Sequence, residues 1–285
     1  MILFRYCLYS IRRQCLYLII ISLCGLYAHA GTTTELGGSI YQYYYAEPGV
    51  MAINGLLFDI NSSLHIENPS NPWATIRAEV RYFLSDDPTY TSKNTGKSYR
   101  NYHTGFETRA LFGQTLYTGI GYRELIHHGA GTVTSTGHIG YDRLSQYTYI
   151  PIGIRLALNN ARKKSWTINI EYRNLQRGIQ TTSFKKGTKL SIGSGNFYTL
   201  PNDKVFKNYQ PNGYGIHVAI KTIKHRYHGI VSNRNHFQIN AIATTVFFNY
   251  WSIEDSNFVP LYQSSSLYEP RNYTTELGIT LQLIF

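Results

Sequence analysis

The chain has 285 residues and a formal net charge of +11, with 27 Lys and Arg against 16 Asp and Glu. Its cysteines, Cys7, Cys15 and Cys24, all precede residue 31, which excludes disulfides and thiolate metal centres from the remainder. No later stretch approaches the roughly eighteen uninterrupted apolar residues that a membrane-spanning helix needs.

Residues 1–30 read as a targeting segment. Arg5, Arg12 and Arg13 precede an apolar run over 15–27, and Ala28-His29-Ala30 puts small residues at the two positions a signal peptidase reads. Sec-type export with cleavage at Ala30-Gly31 is therefore expected. An uncleaved anchor is the weaker reading because the run is short for a bilayer. A lipoprotein at Cys24 is weaker too, because Leu23 stands where a small residue belongs. Residues 31–285 keep 24 basic and 16 acidic residues and read as one domain; of the 26 tyrosines many suit a surface dry along the ring and wet at the hydroxyl.

Alternation of apolar and polar residues predicts ten strands, at 35–45, 53–66, 73–84, 102–112, 115–123, 139–158, 166–173, 213–224, 237–251 and 273–285. Glu47-Pro48-Gly49 is a tight turn between the first two. The second puts Leu56, Phe58 and Ile60 on one face and Asp59, Asn61 and Ser63 on the other. In the third, Ala74, Ile76, Ala78, Val80, Tyr82 and Leu84 oppose Thr75, Arg77, Glu79 and Arg81. A row carrying charges of both signs cannot face hydrocarbon; it needs water or mutual pairing. The fourth repeats this with Glu107 and Arg109, the fifth with Arg123, the sixth with Arg155, the seventh with Glu171 and Arg173, and the eighth with Lys221. Pro151 cannot donate to a ladder, so a bulge or local gap is expected there. The register of the ninth strand is least defined, near Ala243. A hairpin within 177–212 would raise the count to twelve. One set of connections is short (67–72, 113–114, 159–164, 225–236) and the other mostly long (85–98, 127–138, 177–212, 252–272). Tyr45, Trp73, Tyr82, Tyr172, Trp251 and Tyr273 fall near strand ends, where aromatic girdles belong.

The last strand, Y-T-T-E-L-G-I-T-L-Q-L-I-F, ends on an aromatic carboxyl-terminus. It resembles the assembly signal of Gram-negative outer-membrane β-barrels, with Glu276, Gly278, Leu281, Leu283 and Phe285 in the signal's positions. Gly37-Gly38, Tyr43, Tyr45, Glu47-Pro48-Gly49-Val50-Met51 and Gly55 resemble the first hairpin of a group of proteobacterial outer-membrane barrels that mostly lack an assigned activity. These resemblances imply an all-β antiparallel transmembrane barrel in the cell outer membrane, with short periplasmic turns and long extracellular loops. Implied partners are membrane lipid, lipopolysaccharide and the barrel assembly machinery. They imply no catalytic residue. A soluble β-sandwich would alternate as well, but it explains neither the export segment nor the terminal strand.

The polar faces collect Glu35, Asp59, Glu79, Glu107, Glu171 and Glu276 with Arg77, Arg81, Arg109, Arg123, Arg155, Arg173 and Lys221. Two readings compete: a mutually paired network that fills a narrow lumen, or the lining of a small channel. Ten strands favour the packed network. Lys185, Lys186, Lys189, Lys204 and Lys207 form a basic outer loop suited to lipopolysaccharide phosphates or another anionic surface, with plain solvation as the alternative. An omptin-like protease would need its acid and His pairs at the outer rim; Asp86-Asp87 and His127-His128 lie in successive long loops but are expected to remain apart. A lipid-acting hydrolase needs a Ser–His arrangement, and no spacing singles one out. His225, His228 and His236 lack carboxylate or Cys partners for a metal. The expected molecule is a non-enzymatic barrel with no cofactor, metal or nucleic-acid partner, in a structural or surface-interaction role.

Overall fold

The computed structural model describes residues 31–67, 70–160, 164–191, 197–225, 239–262 and 265–285; the targeting segment at 1–30 lies outside them, as do His228 and His236. Ten antiparallel strands close on themselves: β1 (Thr32–Glu47), β2 (Met51–Ile66), β3 (Ile76–Asp86), β4 (Tyr102–Phe112), β5 (Leu116–His128), β6 (Asp142–Asn160), β7 (Lys164–Phe184), β8 (Gly213–His225), β9 (Ala241–Ile253) and β10 (Asn272–Ile284). Each pairs with its sequence neighbours, and β1 pairs with both β2 and β10, which shuts the ring. Closure satisfies every edge, the condition for a sheet to stand in hydrocarbon.

The alternation turns one side of every strand outward. Ile60 and Ile120 are 57% and 56% exposed, Leu277 and Leu281 58% each, while Glu276 on the opposite face is fully buried. An outer wall of bare Ile and Leu around an ionic interior suits lipid and not water, so the fold is a transmembrane β-barrel. β1 and β2 are joined by the tight turn at Pro48–Val50, where Gly49 takes a positive φ of 80° that costs glycine little. Ala241, Ala243, Phe247, Asn249 and Trp251 of β9 all turn inward, so its register is continuous through the Ala-rich stretch.

Several expectations are corrected. β3 begins at Ile76, because Pro72–Ala74 forms a 3-10 turn that leaves Trp73 outside the strand and 69% exposed. β7 continues to Phe184 instead of ending near 173. Its upper part reads Gly-Ile-Gln-Thr-Thr-Ser and lacks a lipid-facing apolar row, having left the ring of ten for a taller wall shared with β6. The strand Lys204–Gln210 pairs with that upper part, so it builds onto the loop end and adds nothing to the ring. Around Pro151 the β5–β6 ladder skips the positions opposite Gly119 and Ile120, and a register shift follows between Thr148 and Tyr149 on the β7 side.

The aromatic girdle also differs. Tyr45 and Trp251 face the lumen, at 4% and 1% exposure. The outward belt keeps Tyr273 and Tyr172 and adds Tyr44, Tyr214 and Tyr250: Tyr44 lies against Tyr273 (5.9 Å between ring centroids), and Tyr214 against Tyr172 (6.2 Å) and Tyr250 (6.0 Å). Strand parity sorts these rings: neighbours such as Tyr44 and Tyr45 point to opposite faces.

The lipid-facing wall makes a first prediction. Ile60→Arg, near the middle of β2, should cost about 2–4 kcal/mol of folding free energy in lipid vesicles, read by urea titration. A signal-less chain that stays soluble and monomeric without detergent would overturn the barrel reading.

Candidate functional site in the barrel lumen

The thirteen ionisable residues collected from the polar faces all stand on the inner wall, and twelve of them are in ion pairs. Ten form a single chain in which the sign alternates at each step. Asp59 meets Arg81 at 3.4 Å, Arg81 meets Glu276 at 3.2 Å, and Glu276 pairs with Arg123. Arg123 reaches Glu107 at 3.7 Å, and Glu107 reaches Arg173 at 3.5 Å. Arg173 holds Glu171 at 2.6 Å, Glu171 holds Arg109 at 2.9 Å, and Arg109 pairs with Glu79, which meets Arg77 at 2.6 Å. Glu35 and Lys221 make a separate pair. Arg155 is the thirteenth.

Aromatic side chains fill the space toward the loop end. Tyr41, Tyr43, Tyr45, Phe83 and Phe247 cluster with Met51, Ile53, Leu57 and Leu125, and Tyr147, Tyr149 and Trp251 pack beside Leu175 and Ile253. Tyr149 lies over Gly121, and Tyr117 over Gly153, where a Cβ would strike the ring; the cross-strand glycine makes room for each tyrosine. The hydroxyls end in the ion chain: Tyr149 donates to Glu107, and Tyr117 donates to Glu171 at 2.8 Å. Arg81 and Arg123 lie 5.4 and 5.2 Å from the centre of the Phe83 ring, on the border between the two layers. Tyr41 and Tyr43 share strand parity with Glu35 and so turn inward.

Toward the turn end the lumen opens into a cavity of about 600 Å³. Its wall includes Glu35, Arg77, Arg109, Arg155, Asn169, His217 and Lys221, and its mouth lies at Thr32, Glu67, Asn240 and Phe285.

A second ionic cluster, unread in the sequence, caps the loop end. Arg143 pairs with Glu47 and lies 3.5 Å from Glu269, and its Nη1 donates to the Tyr45 hydroxyl at 3.0 Å. That hydroxyl is 2.9 Å from Glu47 and 3.2 Å from Glu269. Glu269 belongs to the 254–271 loop, and its backbone N–H donates to Ser256 Oγ at 2.7 Å. The three ionic groups are far apart in the chain, so no local pattern announces them. Beside them His103 Nδ1 meets Ser85 Oγ at 3.2 Å and its Nε2 meets His127 Nδ1 at 3.2 Å, all three groups buried.

The remaining candidates are dispersed. His127 and His128 point to opposite faces; His128 stacks on Tyr102 with centroids 4.1 Å apart. Asp87 accepts a hydrogen bond from the Arg100 backbone N–H. Lys185, Lys186, Lys189, Lys204 and Lys207 are all exposed at the loop end, where Lys185 lies 3.1 Å from Asp203. Of the terminal-strand residues, Glu276 is in the ion chain, Gly278 packs against Tyr41, Leu281 faces outward, and Phe285 is half-buried at the cavity mouth. Among the described residues no group of three or more His, Cys, Asp or Glu is placed to hold a metal ion.

No protein-family model matches the chain, and no curated protein matches it in sequence. Among solved structures it is similar to the outer membrane protease OmpT from Escherichia coli, with a TM-score of 0.46 and 10% identity over 90% of this chain and 97% of that one. It is also similar to the β domain of the Bordetella autotransporter BrkA (TM-score 0.38, 10% identity, 87% and 98% of the two chains). A third is Ail of Yersinia pestis (TM-score 0.27, 8% identity, 88% and 97%). Likeness at this level carries nothing about activity.

Two predictions follow from the geometry. Glu276→Ala would leave Arg81 and Arg123 short of a buried partner and should cost about 3–5 kcal/mol, measured by urea unfolding in vesicles. The second concerns Glu269, which lies outside the spanning strands. Burial, reinforced by Glu47 and opposed by Arg143, pushes its carboxyl up to about 8. The folded state then holds a proton that an unfolded Glu, with a pKa of about 4.3, gives up. The contribution to stability is present in full below about pH 4 and is lost as pH rises to about 8. Hydrogen exchange in the 254–271 loop should therefore quicken over that range, after correction for intrinsic exchange. Glu269→Gln should abolish the dependence.

Proposed function

We propose that this chain is an integral outer-membrane barrel that conducts no solute and works through its loop surface. The aromatic and ionic filling of the loop-end half of the lumen carries this reading. Tyr41, Tyr43, Phe83 and Phe247 stand at the centre of the barrel, and Arg81 and Arg123 lie against Phe83, each held by Glu276. A solute path would have to break a buried ion pair, which costs several kcal/mol. The short turns and both strand termini at the cavity end favour placing that end in the periplasm. The five exposed lysines at the other end suit phosphate groups of lipopolysaccharide or another anionic surface. The residues from Glu276 to Phe285 fit recognition by the assembly machinery, and cleavage after Ala30 fits export.

The refolded 31–285 chain in planar bilayers should give no single-channel steps. Steps whose size or ion selectivity changes on charge reversal at Arg77 or Arg109 would replace this reading with the narrow channel. Binding to lipopolysaccharide-bearing vesicles should weaken when the five lysines are changed to Gln and should fall with added salt.

A further inference from the structure

Of the thirteen ionisable residues collected above, all six carboxylates have a cation and six of the seven cations have a carboxylate. Arg155 has none within 4.0 Å among the described residues. Its Nη2 is shut away from solvent without a hydrogen-bond partner. Register explains the solitude. Across one ladder Arg155 faces Asn169, and its backbone N–H donates to the Thr115 carbonyl on the other side. Both cross-strand neighbours are neutral.

A second guanidinium lies close by. The guanidinium carbons of Arg155 and Arg77 lie 5.6 and 5.2 Å from the centre of the same Tyr117 ring. Tyr117 is fixed against Gly153; its single hydroxyl proton goes to Glu171 Oε2 at 2.8 Å, and the Asn169 amide, 2.8 Å away, turns its N–H toward the hydroxyl oxygen. Arg77, Arg155 and Asn169 all line the 600 Å³ cavity, which is open at the turn end. A pocket of that size holds a small solute, and a guanidinium presents parallel N–H groups to two oxygens at once.

We propose that the turn-end cavity is a binding site for a small oxyanion, a carboxylate or phosphate group carried on a solute, seated on Arg155 with Arg77 beside it. The anion supplies the counter-charge that Arg155 lacks. The site is separate from the loop surface. It needs no conduction, since the ligand enters and leaves by the same mouth.

The test uses the refolded 31–285 chain in detergent. Acetate, succinate and inorganic phosphate are titrated against chloride at constant ionic strength, following heat of binding and the thermal unfolding midpoint. At least one oxyanion should bind and raise the midpoint. Arg155→Gln should weaken that binding about tenfold or more. Arg155→Lys, which keeps the charge but not the fork, should retain part of it, and Lys204→Gln on the outer surface should behave as the parent does. Because Arg155 has no carboxylate to abandon, Arg155→Gln should fold at least as stably as the parent in chloride. Absence of heat and midpoint shift with all three anions would overturn the proposal, as would an undiminished response in Arg155→Gln. The conductance result bears only on the surface reading, so the two can fail separately.

Discussion

The structure depends on a row of ions in the wrong place for ions. Charges at membrane depth are tolerated only when each meets its opposite, and the chain from Asp59 to Arg77 arranges this by strict alternation. Each interior member is flanked by two opposite charges, so desolvation is shared along a line and not borne by isolated pairs. β2, β3, β4, β5, β7 and β10 all contribute to the chain. Shifting any of these strands by one residue would turn its ion to the lipid and a lipid-facing residue to the lumen. The ion chain therefore sets register as much as stability.

The tyrosines couple that chain to the seal above it. A ring fills volume that ion pairs cannot, and its hydroxyl ends on a carboxylate whose remaining lone pairs need donors. Tyr149 on Glu107 does this from the loop side, and Tyr117 on Glu171 does it from the turn side. The glycines opposite them, Gly121 and Gly153, let a large ring lie flat against the wall without widening the barrel. The lumen is consequently layered, with an aromatic seal at the loop end, the ion chain beneath it, and a wet cavity at the turn end.

Much of this was legible in the alternation. Period-2 spacing placed ten strands and put all thirteen ionisable residues on the inner wall, because parity along a strand is fixed by backbone geometry. Aromatics were harder to read. Tyr45 and Trp251 sit near strand ends, which suggests a girdle, yet Tyr45 shares parity with Glu35, Tyr41 and Tyr43 and so belongs inside. The extended part of β7 went unread because above the membrane neither face has to be apolar. The Glu47–Arg143–Glu269 cluster was invisible for another reason. Its members lie at the end of β1, the start of β6 and a loop before β10, and only the closed ring brings them together.

The excess of one cation shows where composition stops and register takes over. Seven bases against six acids could be counted from the chain, but the count cannot say which base is left over. Register decides it: β6 carries no acidic residue after Asp142, and the positions flanking Arg155 on both neighbouring strands are neutral. Arg173, on β7, escapes the same fate because Glu171 stands two residues away on its own face. A surplus buried among aromatics would be a defect that any neutral residue could relieve. Here the surplus lies at the boundary between the ion chain and an open cavity, where a mobile anion can balance it. Arg155 thus gains a counter-charge only when something from outside is bound.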